Sequence, residues 1–146
     1  MFLEILAFIF TGLFAGAALY ITLVEHPARM SNTLAVALAE FRPSYRRAAV
    51  MQASLAVAGA AAAIGAWLLG RGISTLVAGI VLATVVPFTL IIVMPVNRQL
   101  LDETRTAQTL DTDVLLKKWG RLHNIRTVAS LLALVILAVN ILGYTD

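Results

Sequence analysis

The chain has 146 residues, of which 60% are hydrophobic and only 13% charged, and its mean hydropathy is +0.90. A soluble domain carries about 25% charged residues, so a water-covered surface is excluded and one membrane domain over residues 1–146 is expected. The net charge of +3 is too small to point to nucleic acid, and the absence of cysteine excludes disulfides, thiolate catalysis, Cys-ligated zinc and iron–sulfur clusters.

The apolar runs predict an all-α fold of four transmembrane helices, at about 2–24, 46–70, 73–95 and 122–144. The first, Phe2 to Val24, is broken only by Glu4, and its Met-Phe-Leu-Glu start lacks the basic n-region of a signal peptide. Gly12 and Gly16 form a small-xxx-small pair suited to close helix approach, within one helix bundle or between copies in a homo-oligomer. Glu25-His26-Pro27 is expected to close this span. Ser31 or Asn32 then caps a short interfacial helix running to about Glu40, with Leu34, Leu38 and Phe41 on one side. Pro43 is expected to stop that helix and open the next.

The second apolar run is rich in alanine, and Tyr45, Ala49, Gln52, Ala56, Gly59 and Ala63 share one helical face. Gly70-Arg71-Gly72 leaves room only for a tight turn, so the third span runs antiparallel to the second. Pro87 removes a backbone donor within the third span, where Thr84 is placed to bond the freed carbonyl. Residues 98–118 are the most hydrophilic stretch. A cap at Asp111 or Thr112 starts the last helix, whose first three turns are expected outside or at the membrane surface. The expected architecture is an up-down-up-down bundle.

Ten of the eleven basic residues fall in the segments 25–47 and 98–126, for a net charge of +4 after six acids, against −1 for Arg71 with Glu4 and Asp146. The positive-inside rule therefore puts both large loops in the cytoplasm and both termini outside an inner membrane. His26 and His123 then share one membrane boundary with Glu25, Tyr45, Gln52, Asn97, Trp119 and Arg126. Steps of four and three residues bring Trp119, His123 and Arg126 onto one stripe of the last helix. A cavity polar at its mouth and apolar within suits a small hydrophobic ligand.

Four segments carry a resemblance: Glu25-His26-Pro27-Ala28-Arg29, Arg42-Pro43-Ser44-Tyr45-Arg46-Arg47, Met94-Pro95-Val96-Asn97 and Trp119-x3-His123-x2-Arg126. In their order and spacing they resemble the anthrone oxygenase-like family of small four-helix membrane proteins. The resemblance implies oxidation of a polyketide anthrone to an anthraquinone by molecular oxygen, without metal or flavin, and directs attention to Asn97, Trp119, His123 and Arg126.

Such chemistry needs a base for an acidic C–H proton. A free imidazole has a pKa of about 6.5, which makes His123 the candidate base. Arg126 would stabilise the enolate oxygen and Trp119 would stack on the ring. Tyr45 and Asn97 would hold a ketone or hydroxyl, with Gln52 and His26 as further binding groups and Glu25 as a second catalytic candidate. Each of these residues also has an ordinary role: Trp119 anchoring in headgroups, Arg126 snorkelling to phosphate, His123 bonding a neighbouring helix.

Two other readings stay open. Glu25, His26 and His123 have the composition of a two-His-one-carboxylate site for non-haem iron or copper, although Glu25 and His26 point about 100° apart on a regular helix. A non-enzymatic role would be that of a lipid- or hydrophobe-binding module, its basic face holding anionic headgroups of membrane lipid, or of an assembly subunit. Glu25 has two possible cationic partners, Arg29 and Arg126.

Overall fold

In a computed structural model the chain is described over residues 1–143, and no strand occurs among them. The fourth span's expected end at Tyr144 and the Asp146 charge lie outside the described residues. The elements are α1 (Phe2–Tyr20), a π-turn (Ile21–Glu25), α2 (His26–Met30), α3 (Leu34–Leu68), α4 (Ile73–Phe88), a second π-turn (Thr89–Val93), α5 (Met94–Leu101) and α6 (Thr112–Ile141). The π-turns join their flanking helices, so four continuous stretches are long and apolar enough to cross a membrane: Phe2–Met30, Leu34–Leu68, Ile73–Leu101 and Thr112–Ile141.

Each π-turn has a cause in the sequence. A proline ring collides with the carbonyl four residues earlier, which is Leu23 for Pro27 and Ile91 for Pro95. Both carbonyls lie inside the widened turns. The His26 amide reaches back five residues to Ile21, and the Met94 amide reaches back five to Thr89. Helix continuity survives at the expense of one wide turn. The first span therefore does not end at Glu25-His26-Pro27 but runs to Met30.

Pro43 likewise does not stop a helix; it lies inside α3. Ala39, whose carbonyl it frees, is exposed along with Glu40 and Pro43, so surrounding solvent or headgroups can satisfy that oxygen. The opposite face buries Ala37, Leu38 and Phe41 without interruption. Thr33, rather than Ser31 or Asn32, holds the N-cap position. At Pro87 the expected rescue also differs. Thr84 donates to the Val81 carbonyl at 2.7 Å, while Thr89 donates to Val85 at 2.7 Å.

α1 and α4 each pack against both α3 and α6. α3 passes to α4 through Leu69–Gly72, where Gly70 takes a left-handed φ of +88° that disfavours a side chain. Two apolar clusters fill the interior. One is built around Ala7, Phe14, Ala56, Leu82 and Leu137, the other around Ile21, Phe41, Val93, Leu116 and Trp119. Large side chains such as Leu23, Val50, Ile91 and Val128 face outward, as expected where the surroundings are hydrocarbon. Gly12 packs within the chain, since a Cβ there would sit 3.6 Å from Leu134.

The hydrophilic segment between α5 and α6 is pinned by arginines that donate to carbonyls. Arg42 reaches Leu100, Asp102 and Arg105, and Arg105 reaches Gln99, Leu110 and the Asp111 carboxylate. Hydrogen bonds from the Thr104 hydroxyl and amide hold the Asp102 carboxyl below the usual aspartate range. Asp111 is the N-cap residue of α6, but its carboxylate serves Arg105 rather than the helix amides.

Candidate functional site

A cavity of about 180 Å³ is lined by members of both apolar clusters, among them Phe14, Phe41, Ala56, Val85 and Trp119. Six of the eight sequence-predicted residues line it: Glu25, Tyr45, Gln52, Trp119, His123 and Arg126. Asn97 and His26 do not. Asn97 is fully buried behind the wall, and its amide is consumed by neighbours: Trp119 Nε1 donates to Oδ1 at 2.9 Å, and Nδ2 donates to the Tyr45 hydroxyl at 2.5 Å. Its role is to fix Trp119 and Tyr45. Because the Tyr45 oxygen accepts from Asn97, its own proton is left to donate.

Trp119 stacks on His123, with ring centroids 5.0 Å apart and planes 13° from parallel. That is the consequence of their i, i+4 spacing on α6. Phe41 meets the indole edge-on at 5.1 Å, and His26 tilts against it at 5.3 Å. Gly120 makes room for His26, because a Cβ at position 120 would lie 2.7 Å from the imidazole Cδ2.

His123 is 2% exposed, and its Nε2 lies 3.1 Å from the Ala18 carbonyl. A carbonyl only accepts, so Nε2 carries the proton and Nδ1 of the neutral ring is a bare acceptor. Nδ1 has no partner in the structure. Arg126, 8% exposed, donates through Nη2 to Gln52 Oε1 at 2.9 Å and lies 5.8 Å over the Phe14 ring. It has no carboxylate partner among the described residues, and its Nε is unpartnered, as is Gln52 Nε2. Three residues that line the cavity thus hold one unfilled acceptor and two unfilled donors buried in its wall, beside a cation with no counter-charge among the described residues.

Glu25 pairs with Arg29, not with Arg126. Arg29 was absent from the sequence-predicted site, yet its side chain is 2% exposed and lines the cavity. It also pairs with Glu40, donates to Ser44 at 3.0 Å, and lies 5.3 Å over Phe41 and 5.7 Å over Trp119. The signal for it was the Glu25–Arg29 spacing, an acid one turn before a base. What α2 alone could not reveal was Glu40 arriving from α3. Among the described residues no three histidine or carboxylate side chains are grouped to hold a metal, so Glu25, His26 and His123 do not assemble into the triad their composition suggested.

Residues 41–136, about two-thirds of the chain, match the family described as anthrone oxygenase. The chain belongs to the anthrone oxygenase family. In this anthrone oxygenase-family protein the matched segment carries Phe41, Tyr45, Gln52, Asn97, Trp119, His123 and Arg126, whereas Glu25, His26 and Arg29 precede it. No curated protein and no solved structure matches the chain. Family membership and the four apolar helices together make it a multi-pass membrane protein.

Proposed function

We propose that the protein is a cofactor-independent membrane oxygenase acting on a small aromatic ketone with an acidic C–H bond. The observation that carries this reading is the set of buried, unpartnered atoms on residues that line the cavity: His123 Nδ1 as acceptor, Arg126 Nε and Gln52 Nε2 as donors. A buried polar group left unpaired costs about 1–3 kcal/mol. With small rotations of these side chains toward the cavity, a ligand offering a proton beside a carbonyl oxygen would supply all three partners.

In the proposed reaction His123 Nδ1 removes a proton from the methylene carbon, and the electron pair delocalises onto the ketone oxygen. Arg126 and Gln52 stabilise that oxyanion, an effect of about 2.7–4 kcal/mol per donor in comparable sites. The enolate carbon is oxidised by dioxygen, which forms the new C–O bond and takes the proton back from the imidazolium as a hydroperoxide. Loss of the second methylene hydrogen with cleavage of the O–O bond leaves a new carbonyl and one water. Substrate CH2 and O2 thus become C=O and H2O. Trp119 keeps the imidazole plane fixed, and Tyr45 donates to a substrate oxygen. By comparison with an engineered cavity of about 150 Å³ that takes benzene, the space of about 180 Å³ holds one or two rings.

The same reading arranges the four helices up-down-up-down as one domain in an inner membrane, with the basic loops cytoplasmic, both termini outside and the start of α3 at the interface. The asymmetry of ten basic residues on one side against Arg71 on the other supports it. The deciding experiment measures oxygen uptake and quinone formation by purified protein supplied with anthrone. His123→Ala and Arg126→Met are expected to lose both while still unfolding in one cooperative transition. Wild-type turnover in either variant sinks the assignment.

A further inference from the structure

We infer that the cavity is loaded sideways from the bilayer, through a portal between α3 and the second π-turn, by a neutral hydrophobic ligand dissolved in the membrane. The inference rests on the cavity being the ligand site and says where its ligand comes from.

Exposure along the two walls carries it. On α3, Gln52 and Ala56 are 3% and 1% exposed, Ala49 is half-buried, and Ala53 is exposed, yet all four line the cavity. On the facing wall Val85 is 4% exposed, Val86 and Thr89 are half-buried, and Leu90 is 59% exposed. Both walls therefore run from the sealed interior to the outer surface. They do so inside the apolar spans, where the outside is hydrocarbon rather than water. Alanines on the α3 side leave the gap unfilled. The π-turn begins two residues after Pro87 and shifts the chain that would otherwise continue α4 along α3.

The other end of the cavity is closed. Arg29 bridges Glu25 of the first π-turn to Glu40 of α3, Ser44 bonds both Arg29 and Glu25, and Phe41 beneath them is 0% exposed. A ligand arriving from water would have to break this network around the buried Arg29, whereas one arriving from lipid meets only alanine, valine, threonine and leucine. A lateral portal also lets a ring too large for the cavity rest partly in the bilayer.

The test uses full-length protein in lipid nanodiscs with Trp67→Phe, which leaves Trp119 as the sole tryptophan. The probe is 2-bromonaphthalene dissolved in the bilayer, whose bromine quenches Trp119 by contact when the cavity fills. Stopped-flow quenching gives association and dissociation rates. Ala53→Phe, on the exposed lip, is expected to slow both rates together, roughly tenfold for a barrier raised by one large side chain. Leu90→Ala is expected to speed both. Glu40→Gln, which loosens the polar end from outside the cavity lining, should leave them unaltered. If Ala53→Phe and Leu90→Ala exchange probe at the parental rate while Glu40→Gln is faster, the ligand enters at the polar end and the portal is wrong. If no variant, nor the parent, shows saturable quenching, the cavity is not a ligand site and the reading beneath the portal fails as well.

Discussion

Gln52→Glu and Gln52→Leu perturb the same oxygen in opposite directions and separate stability from catalysis. The Gln52 carbonyl accepts from Arg126 Nη2 at 2.9 Å, with both residues buried. Glutamate there gives Arg126 a counter-charge, with a gross attraction of about 6 kcal/mol at an effective dielectric of about 20. Removing the new carboxylate from water costs several kcal/mol, so the melting temperature is expected to stay near that of the parent. The guanidinium, however, is no longer free to hold an oxyanion. Losing one such contact corresponds to roughly 10²–10³ in kcat. Leucine instead leaves the cation without its polar partner, at a cost of about 1.5–3 kcal/mol, which lowers the melting temperature by roughly 5–10 °C for a chain of this size. Oxygen uptake with anthrone and thermal unfolding, measured in one detergent, read the two effects. Wild-type turnover in Gln52→Glu would refute the idea that the uncompensated charge of Arg126 is what the site uses.

Gly120→Ala gains about 1 kcal/mol of helix propensity, but its methyl overlaps the His26 ring, and overpacking costs about 1–3 kcal/mol. A lower melting temperature is expected, with restoration in Gly120→Ala/His26→Ala; an unaltered single variant refutes the clash. Trp119→Phe leaves Asn97 Oδ1 without its donor, a loss of about 1–3 kcal/mol visible in thermal unfolding. Adding Asn97→Leu should recover part of it, and a further drop in the double variant contradicts the account. Reporter fusions at the C-terminus should be active only outside the cytoplasm, while fusions in the 102–111 loop should be active inside. The reverse pattern overturns the charge-based orientation.

Much of this was written in the linear chain, because the forces concerned are local or one-dimensional. Apolar runs set the four spans, since a length of uncharged residues is all that crossing hydrocarbon demands. Helical spacing put Trp119, His123 and Arg126 on one stripe, and six of the eight named residues do line the cavity. The prolines were read too simply. Pro27 widens a turn instead of closing the span, and Pro43 is carried within α3 instead of stopping a helix, because packing of the continuous inner face outweighs one lost hydrogen bond.

What only the tertiary structure decided is who partners whom. Arg29 meets Glu40 eleven residues away, Arg126 meets Gln52 seventy-four away, and Asn97 is used up between Tyr45 and Trp119. No spacing rule reaches across helices, so the sequence by itself determined which polar groups share one end of the bundle. Packing determined which of them satisfy each other and which, like His123 Nδ1, are left facing no partner.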